Sequence, residues 1–154
     1  AVRGARAVGA RRWKPAASAV ALFVGGSDDA RTVHLCITVV DAIGRGRSAR
    51  YVWASDVSKA RTRDEKSVAG VLREIDVLAI DGIAEGSIDK YARPPAIMAC
   101  ILELVQDRRR LGRATLLASS FAAERIVGLA GTSAGLWRAA LVDLTASSST
   151  EVSP

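Results

Sequence analysis

The chain has 154 residues, of which 49% are hydrophobic and 25% charged, enough apolar material for one core and too little chain for two ordinary domains. This composition excludes a disordered protein, and the lack of a long apolar run excludes a helix that spans a membrane. The net charge is +6. Cys36 and Cys100 lie in apolar segments and lack metal-ligand or redox spacing, which predicts buried free thiols in a reducing, cytoplasmic compartment.

Residues 1–18 are expected to form a flexible basic arm before a domain at 19–145. The first 20 residues have no acid, and the rest of the chain is nearly balanced in charge, so most of the net charge belongs to the arm. It is a candidate contact for nucleic acid phosphates, which would favour a nucleoid location. A targeting segment for an organelle and a solvated tail are the alternatives. The basic residues of the arm are Arg3, Arg6, Arg11, Arg12 and Lys14.

Apolar runs bounded by turn residues predict strands, and the stretches between them predict helices. Strands are expected at 19–24, 49–54, 76–80, 114–118 and 139–144. The first helix is expected at 32–43, beyond a turn at 25–29, and it is apolar almost all round, as in a helix buried against a sheet. The remaining helices are expected after a cap at Ser55 or Asp56, over 64–74, from Pro94 to Arg110, and from a cap at Ser119 or Ser120 to Leu129.

The order of these elements predicts the fold class. Strands alternate with helices along the whole chain, which indicates a doubly wound parallel sheet covered on both faces. The helix that starts at Pro94 ends in Arg108-Arg109-Arg110, where cations complement the helix dipole. Residues 146–154 are rich in Ser and Thr and are expected to be a disordered tail.

A degenerate phosphate-binding loop follows the first strand. The motif G-x-x-x-x-G-K-[ST] is matched at Gly25 and Thr32, but Ala30 replaces its second glycine and Arg31 replaces its lysine. A planar guanidinium does not simply replace a compact ammonium. Asp28 and Asp29 also add negative charge to the loop. Gly25, Gly26, Arg31 and Thr32 are therefore candidate residues of a weakened nucleotide site.

An acid follows the third strand, where P-loop enzymes hold Mg²⁺. Asp81 is the candidate ligand, directly or through water. Hydrolytic enzymes of this class place a second acid next, and here that position is Gly82, with Glu85 three residues further on. The alternative interpretation is that Asp81 only caps the end of the strand.

Several segments, in order, resemble the AAA+ core of bacterial replication initiators, helicase loaders and transposition helper ATPases (the DnaA, DnaC and IstB group). They are LFVGGSDDARTVHLCITVVDAIGRGRSARYVWASDV, REIDVLAIDGI, ILELVQDRRRLGRATLLASS and GLWRAALVDL. The resemblance implies a P-loop NTPase core of the ASCE type with five strands in the order 5-1-4-3-2. The helical lid that closes over the base in this family is expected to be missing here.

The resemblance also implies roles for individual residues. Ser120 would fill the polar sensor position, and the region after the second strand would grip single-stranded DNA through Lys59, Arg61, Arg63 and Lys66. A solvated helix face is the alternative for these four cations. The arginine that reaches a neighbouring subunit's phosphate is replaced by Gly135, with Arg138 three residues late.

The departures from the family lie at its functional positions, which predicts a module that does not hydrolyse ATP. We expect either no cofactor or weakly bound ATP and Mg²⁺. The expected partner is a protein, with a related active AAA+ subunit as one candidate and nucleic acid as another. A working ATPase that uses Arg31, Thr32 and Asp81 and a structural component of a nucleoprotein assembly are the alternatives.

Overall fold

A computed structural model describes residues 20–24, 28–62, 66–84 and 94–145 of the chain. The predicted arm and tail, Gly25 and Gly26 therefore lie outside the described residues. The elements are β1 (Val20–Val24), α1 (Asp28–Gly44), β2 (Ala49–Trp53), α2 (Ala54–Thr62), α3 (Lys66–Glu74), β3 (Val77–Asp81), α4 (Pro94–Arg110), β4 (Ala114–Ser119), α5 (Ala123–Leu129), a 3-10 turn (Gly131–Ser133) and α6 (Ala134–Thr145).

The sheet is parallel, as predicted, and its described strands have the order β1-β4-β3-β2. This is the order expected for the first four strands. β3 and β4 are buried along their whole length, so both of their faces are covered by helices. No helix in the described part of the chain has the length and apolar character needed to cross a membrane.

The predicted fifth strand at 139–144 is wrong, because this segment belongs to α6. An apolar run of six residues is equally compatible with a strand and with a buried helix. The neighbouring Trp137 decides between them, because its indole is 1% exposed and its Nε1 donates a hydrogen bond to the carbonyl oxygen of Met98, 3.2 Å away. The Trp137 side chain of α6 therefore reaches α4, and the sheet has four strands in the described part of the chain.

The two faces of the sheet are covered unequally. Side chains of α2, α3, α4, α5 and α6 form one core with the strands, whereas the core on the other face contains α1 as its only helix among the described residues. α1 lies against the sheet, as expected of a helix that is apolar almost all round, but only its inner face is buried. Its outer face leaves Val33, Ile37, Val40 and Ile43 exposed.

The expected serine cap of α5 is also wrong. The helix begins at Ala123, and its cap residue, Ala122, makes no side-chain capping hydrogen bond. Ser119 is instead the last residue of β4, where its Oγ donates to the carbonyl oxygen of Ile83 at 2.5 Å and accepts from the backbone N of Phe121 at 3.1 Å. Ser119 therefore connects the end of β4 to the loop that follows β3 and does not cap α5.

Arg108 also differs from expectation, because it is not an exposed arginine at the end of α4. Its side chain is fully buried, and burial lowers its pKa to about 10, so it remains charged at neutral pH. α3 ends at Glu74, and the guanidinium lies against the last carbonyls of this helix, which have no partner within it. Its hydrogen bonds go to the carbonyl oxygens of Leu72, Arg73, Ile75 and Ala114 and to Thr115 Oγ1.

Candidate functional site

Three strands and one helix converge at the edge of the sheet where the predicted nucleotide site lies. Val24 and Ser119 are paired at the carboxyl ends of β1 and β4, and Asp81 ends β3 between β4 and β2. α1 runs back from this edge, so its amino end faces the same side. This is where α/β proteins of this topology bind ligands.

The carboxylate of Asp81 is at the centre of the site. It is 4% exposed, and its Oδ2 accepts hydrogen bonds from Thr32 Oγ1 at 2.7 Å and from the Tyr51 hydroxyl at 2.9 Å. Its Oδ1 accepts from the backbone N of Gly82 at 2.8 Å. The structure therefore brings together Thr32 and Asp81, two candidates that are far apart in the sequence, and the protein's own donors already satisfy much of the carboxylate.

Tyr51 is a site residue that sequence reasoning missed. Burial, followed by the hydrogen bond to Asp81 and its negative charge, raises the pKa of this phenol well above its ordinary value of 10.0. The residue lies in the middle of β2, where an aromatic side chain is typical of any strand. Its position opposite Ala79, two residues before Asp81 on β3, could have been inferred only from the strand register.

Tyr51→Phe tests this arrangement through pH. A phenol whose pKa is raised by folding contributes stability below its unfolded pKa and loses that contribution as the pH rises through the folded value. We expect the free energy of unfolding of the wild type to fall above pH 10 more steeply than that of Tyr51→Phe. Denaturant unfolding on either side of pH 10 measures both slopes, and equal slopes would contradict a tyrosine held by Asp81.

The loop between β1 and α1 is shorter than the predicted phosphate loop. α1 begins at Asp28 and not at Thr32, so only three residues separate it from the end of β1. Two acids in the first turn explain the early start, because carboxylates there complement the helix dipole. The N–H of Thr32 lies in the second turn, beyond the four residues whose N–H groups are free at a helix start. The N–H of Thr32 is therefore bonded within the helix and is not available to a phosphate.

Arg31, which stands in the place of the loop lysine, is turned to a local partner. Its side chain is buried and forms an ion pair with Asp28, three residues earlier on the same helix, while the Asp28 side chain is mostly exposed. The positive charge expected to meet phosphate is thus balanced by a carboxylate at the same helix end. Ala30, in place of the second glycine, is exposed on the first turn of α1.

The segment after Asp81 holds no second carboxylate up to Ala84. Gly82 has a φ of +70°, in the left-handed region that side chains other than glycine rarely adopt. The backbone N of Ile83 donates to the carbonyl oxygen of Ala118 at 2.9 Å, which fixes this turn against β4. An acid at position 82 would be strained in this backbone. Glu85 lies outside the described residues.

Of the remaining candidates, Ser120 and Lys59 have side chains in the described part of the chain. Ser120, the predicted sensor, is exposed just beyond β4, and its buried neighbour Ser119 donates to the carbonyl oxygen of Ile83. Lys59 lies on α2, with Nζ 4.0 Å from the carboxylate of Asp56. The side chains of the other three cations predicted for this region lie outside the described part of the chain, as does the basic arm.

The site fits Mg²⁺ better than it fits a nucleotide. P-loop enzymes hold Mg²⁺ with a hydroxyl and a carboxylate. Thr32 and Asp81 offer the same two groups, and their 2.7 Å hydrogen bond places them close enough to share an ion. Among the described residues, no group of three or more His, Cys, Asp or Glu side chains is arranged to hold a metal. The pair Thr32 and Asp81 fits an Mg²⁺ ion whose coordination is completed by water or phosphate, whereas Arg31, held by Asp28, does not fit the phosphates.

Comparison with solved structures identifies the fold. DnaA from Aquifex aeolicus, bound to AMPPCP, superposes with a TM-score of 0.61 at 16% identity over 77% of this chain. The replication initiator DnaA bound to AMPPCP and single-stranded DNA gives 0.63 at 16% identity over 79%, and DnaI gives 0.63 at 14% identity over 86%. The fold is similar to that of AAA+ P-loop ATPase domains.

The similarity to AAA+ domains is one of fold. The chain spans 38% of the length of each of these two DnaA chains and 69% of the DnaI chain. No family model matches the sequence, and no curated protein matches it. The AAA+ resemblance predicted from the sequence is therefore confirmed for the architecture.

Proposed function

We propose that this chain is an AAA+-like module of the replication-initiator and helicase-loader type that does not hydrolyse ATP and acts by binding a protein partner or nucleic acid. The fold supports the first part of the proposal, since initiators and a helicase-loader relative share it. A shared fold does not carry an activity with it, so the second part depends on the geometry of the site.

The main support for a site that does not hydrolyse ATP is the start of α1. In P-loop enzymes, backbone N–H groups of a glycine-rich loop surround the phosphates, and a lysine reaches the β- and γ-phosphates. Here Asp28 to Thr32 are already helical, and the side chain in the place of that lysine is paired with Asp28. The amino end of the helix, which would attract phosphate, instead has two carboxylates of its own.

Hydrolysis requires more than phosphate binding. Phosphoryl transfer depends on positioning the attacking water and stabilising the charge that develops. Gly82 cannot orient water through a side chain, and its left-handed backbone disfavours an acid in its place. What remains of the site is the pair Thr32 and Asp81. This pair suits either weak binding of Mg²⁺ with ATP or no nucleotide binding at all.

A working ATPase is the second candidate, and one observation favours it. The hydrogen bond between Thr32 and Asp81 keeps the two Mg²⁺ ligands of the family in contact. An enzyme built on this pair would use Arg31 in place of lysine, after its ion pair with Asp28 had opened. The nucleic acid and protein partners expected from the sequence, including an active AAA+ subunit, are compatible with either candidate.

The experiment that separates these candidates is a phosphate-release assay with ATP, Mg²⁺ and single- or double-stranded DNA. We expect the wild type to release phosphate at the background rate, equal to that of Asp81→Asn. Circular dichroism of both proteins is the control that checks whether each is folded. In active relatives of this class, loss of the arginine finger alone lowers the rate by about 10³–10⁵. Turnover by the wild type that Asp81→Asn abolishes would instead establish the second candidate.

A further inference from the structure

Helix α1 is apolar on two opposite faces. Its inner face buries Leu35 and Val39 against the sheet. Its outer face presents Val33, Ile37 and Val40, which are 55%, 60% and 68% exposed. With Ile43, α1 supplies four of the nine large hydrophobic side chains that are exposed among the described residues, so this surface is the main apolar one in that part of the chain.

The outer residues form a narrow seam along the helix. Val33, Ile37 and Val40 are spaced by four and three residues, the spacing with which helices pack side by side. Ala30 and Gly44 extend the seam at its two ends, each seven residues from Ile37. The seam is therefore nearly symmetric about Ile37, with three large side chains in the centre and a small residue at each end, where a second helix could approach closely.

The charges at the two ends of α1 are opposite. Asp28 and Asp29 occupy the first turn, while Arg45 and Arg47 follow Gly44. Asp28 pairs with Arg31 and Arg45 with Asp41 at the same helix end, so the amino end keeps one net negative charge and the carboxyl end one net positive charge. A second copy of the helix in the antiparallel direction would place its basic end beside this acidic end, and the helix dipoles would also oppose each other favourably. A parallel copy would bring like charges together at both ends.

We propose that α1 is a homodimer interface, in which the outer face of one α1 packs antiparallel on that of a second copy, with the two-fold axis beside Ile37. An isologous contact of this kind needs a self-complementary surface, which the seam and its end charges provide. The proposal concerns the outer face of α1 and does not depend on whether ATP binds or is hydrolysed.

Sedimentation equilibrium tests the dimer. We expect the wild type to approach twice the mass of one chain as its concentration rises, and Ile37→Lys to weaken self-association at least 10-fold. Ile37→Lys should unfold at the temperature of the monomeric wild type, because the side chain it replaces is mostly exposed. Leu136→Lys, at an equally exposed position on α6, is the matched control and should dimerise as the wild type does. A wild type that stays monomeric, or dimers that Ile37→Lys leaves intact, would overturn the proposal.

Cross-linking tests the antiparallel direction. In a chain with Cys36→Ser and Cys100→Ser, Ile37→Cys should form a disulfide-linked dimer on mild oxidation, because the residue lies beside the two-fold axis. Val33→Cys alone should form little, whereas a mixture of Val33→Cys and Val40→Cys should cross-link readily. Efficient cross-linking of Val33→Cys with itself would instead indicate a parallel pair and contradict the geometry.

Charge reversal tests the ends of the seam. Asp29→Lys alone and Arg45→Glu alone should each weaken self-association several-fold, since each variant places like charges at both ends of the dimer. A mixture of the two variants should recover association, because one end then pairs the introduced lysine with the introduced glutamate and the other end pairs the native Asp29 with the native Arg45. Failure of the mixture to recover would show that the ends do not meet and would refute the antiparallel arrangement.

Discussion

Replacing Arg108 with methionine is expected to lower the free energy of unfolding by about 3–5 kcal/mol. The substitution keeps a long apolar side chain in the core but removes every donor that Arg108 supplies. The carbonyl oxygens of Leu72, Ile75 and Ala114, now bound at 2.6–2.9 Å, would be left buried without this partner. Each unsatisfied polar group of this kind costs about 1–3 kcal/mol, so the loss accumulates.

Denaturant unfolding of Arg108→Met measures this effect, and Arg110→Met is the matched control. Arg110 lies on the same helix two residues later, but its side chain is largely exposed and pairs only with Asp107. Its replacement is expected to change stability by less than about 0.5 kcal/mol. If the two variants unfolded at the same denaturant concentration, the buried guanidinium would not hold α3, α4 and β4 together.

The second large effect is expected for Trp137→Ala, with a loss of about 3–5 kcal/mol. The indole is 1% exposed and lies in the core on the side of the sheet opposite α1, so its removal leaves a cavity. The variant also leaves the carbonyl oxygen of Met98 without the donor that α6 supplies. Loss of both contacts should detach α6 from α4.

Leu136→Ala provides the comparison for Trp137→Ala, because it truncates the preceding residue of the same helix. Leu136 is 57% exposed, so its truncation creates no cavity and is expected to cost less than about 0.5 kcal/mol. Thermal unfolding of the two variants, followed by circular dichroism, measures the difference. A larger loss for Leu136→Ala would mean that the segment presents the other face to the core, as the predicted strand would allow.

The strands of the sheet were predictable because each is a compact apolar run that ends in turn residues or an acid. β3 and β4 illustrate this, since every residue of both strands is buried. The predicted β3 differs from the observed strand by one residue at each end, and the predicted β4 by one residue at its carboxyl end. The same reasoning gave the wrong element at 139–144, because the length of an apolar run does not distinguish a strand from a buried helix. The contact that decides, from Trp137 to Met98, spans the sequence between α4 and α6.

The candidate site was predictable only in part. Thr32 and Asp81 follow from a motif and a strand end, and the fold places them in contact. Tyr51 depends on the register between β2 and β3, and the start of α1 depends on how two acids stabilise a helix end. Arg108 shows the same limit, since a run of three arginines is typical of a solvated helix end and only the packed structure shows that one of them is buried.

The order of strands in the sheet has a consequence for how the chain folds. β1 is synthesised before the other described strands, yet its partner is β4, with Val20 aligned to Thr115. Most of the domain must therefore leave the ribosome before β1 can join the sheet. Pairing across so long a stretch closes slowly, and until then β1 and the apolar faces of α1 remain accessible to other chains. During synthesis, β1 is therefore the described strand that remains longest without its partner.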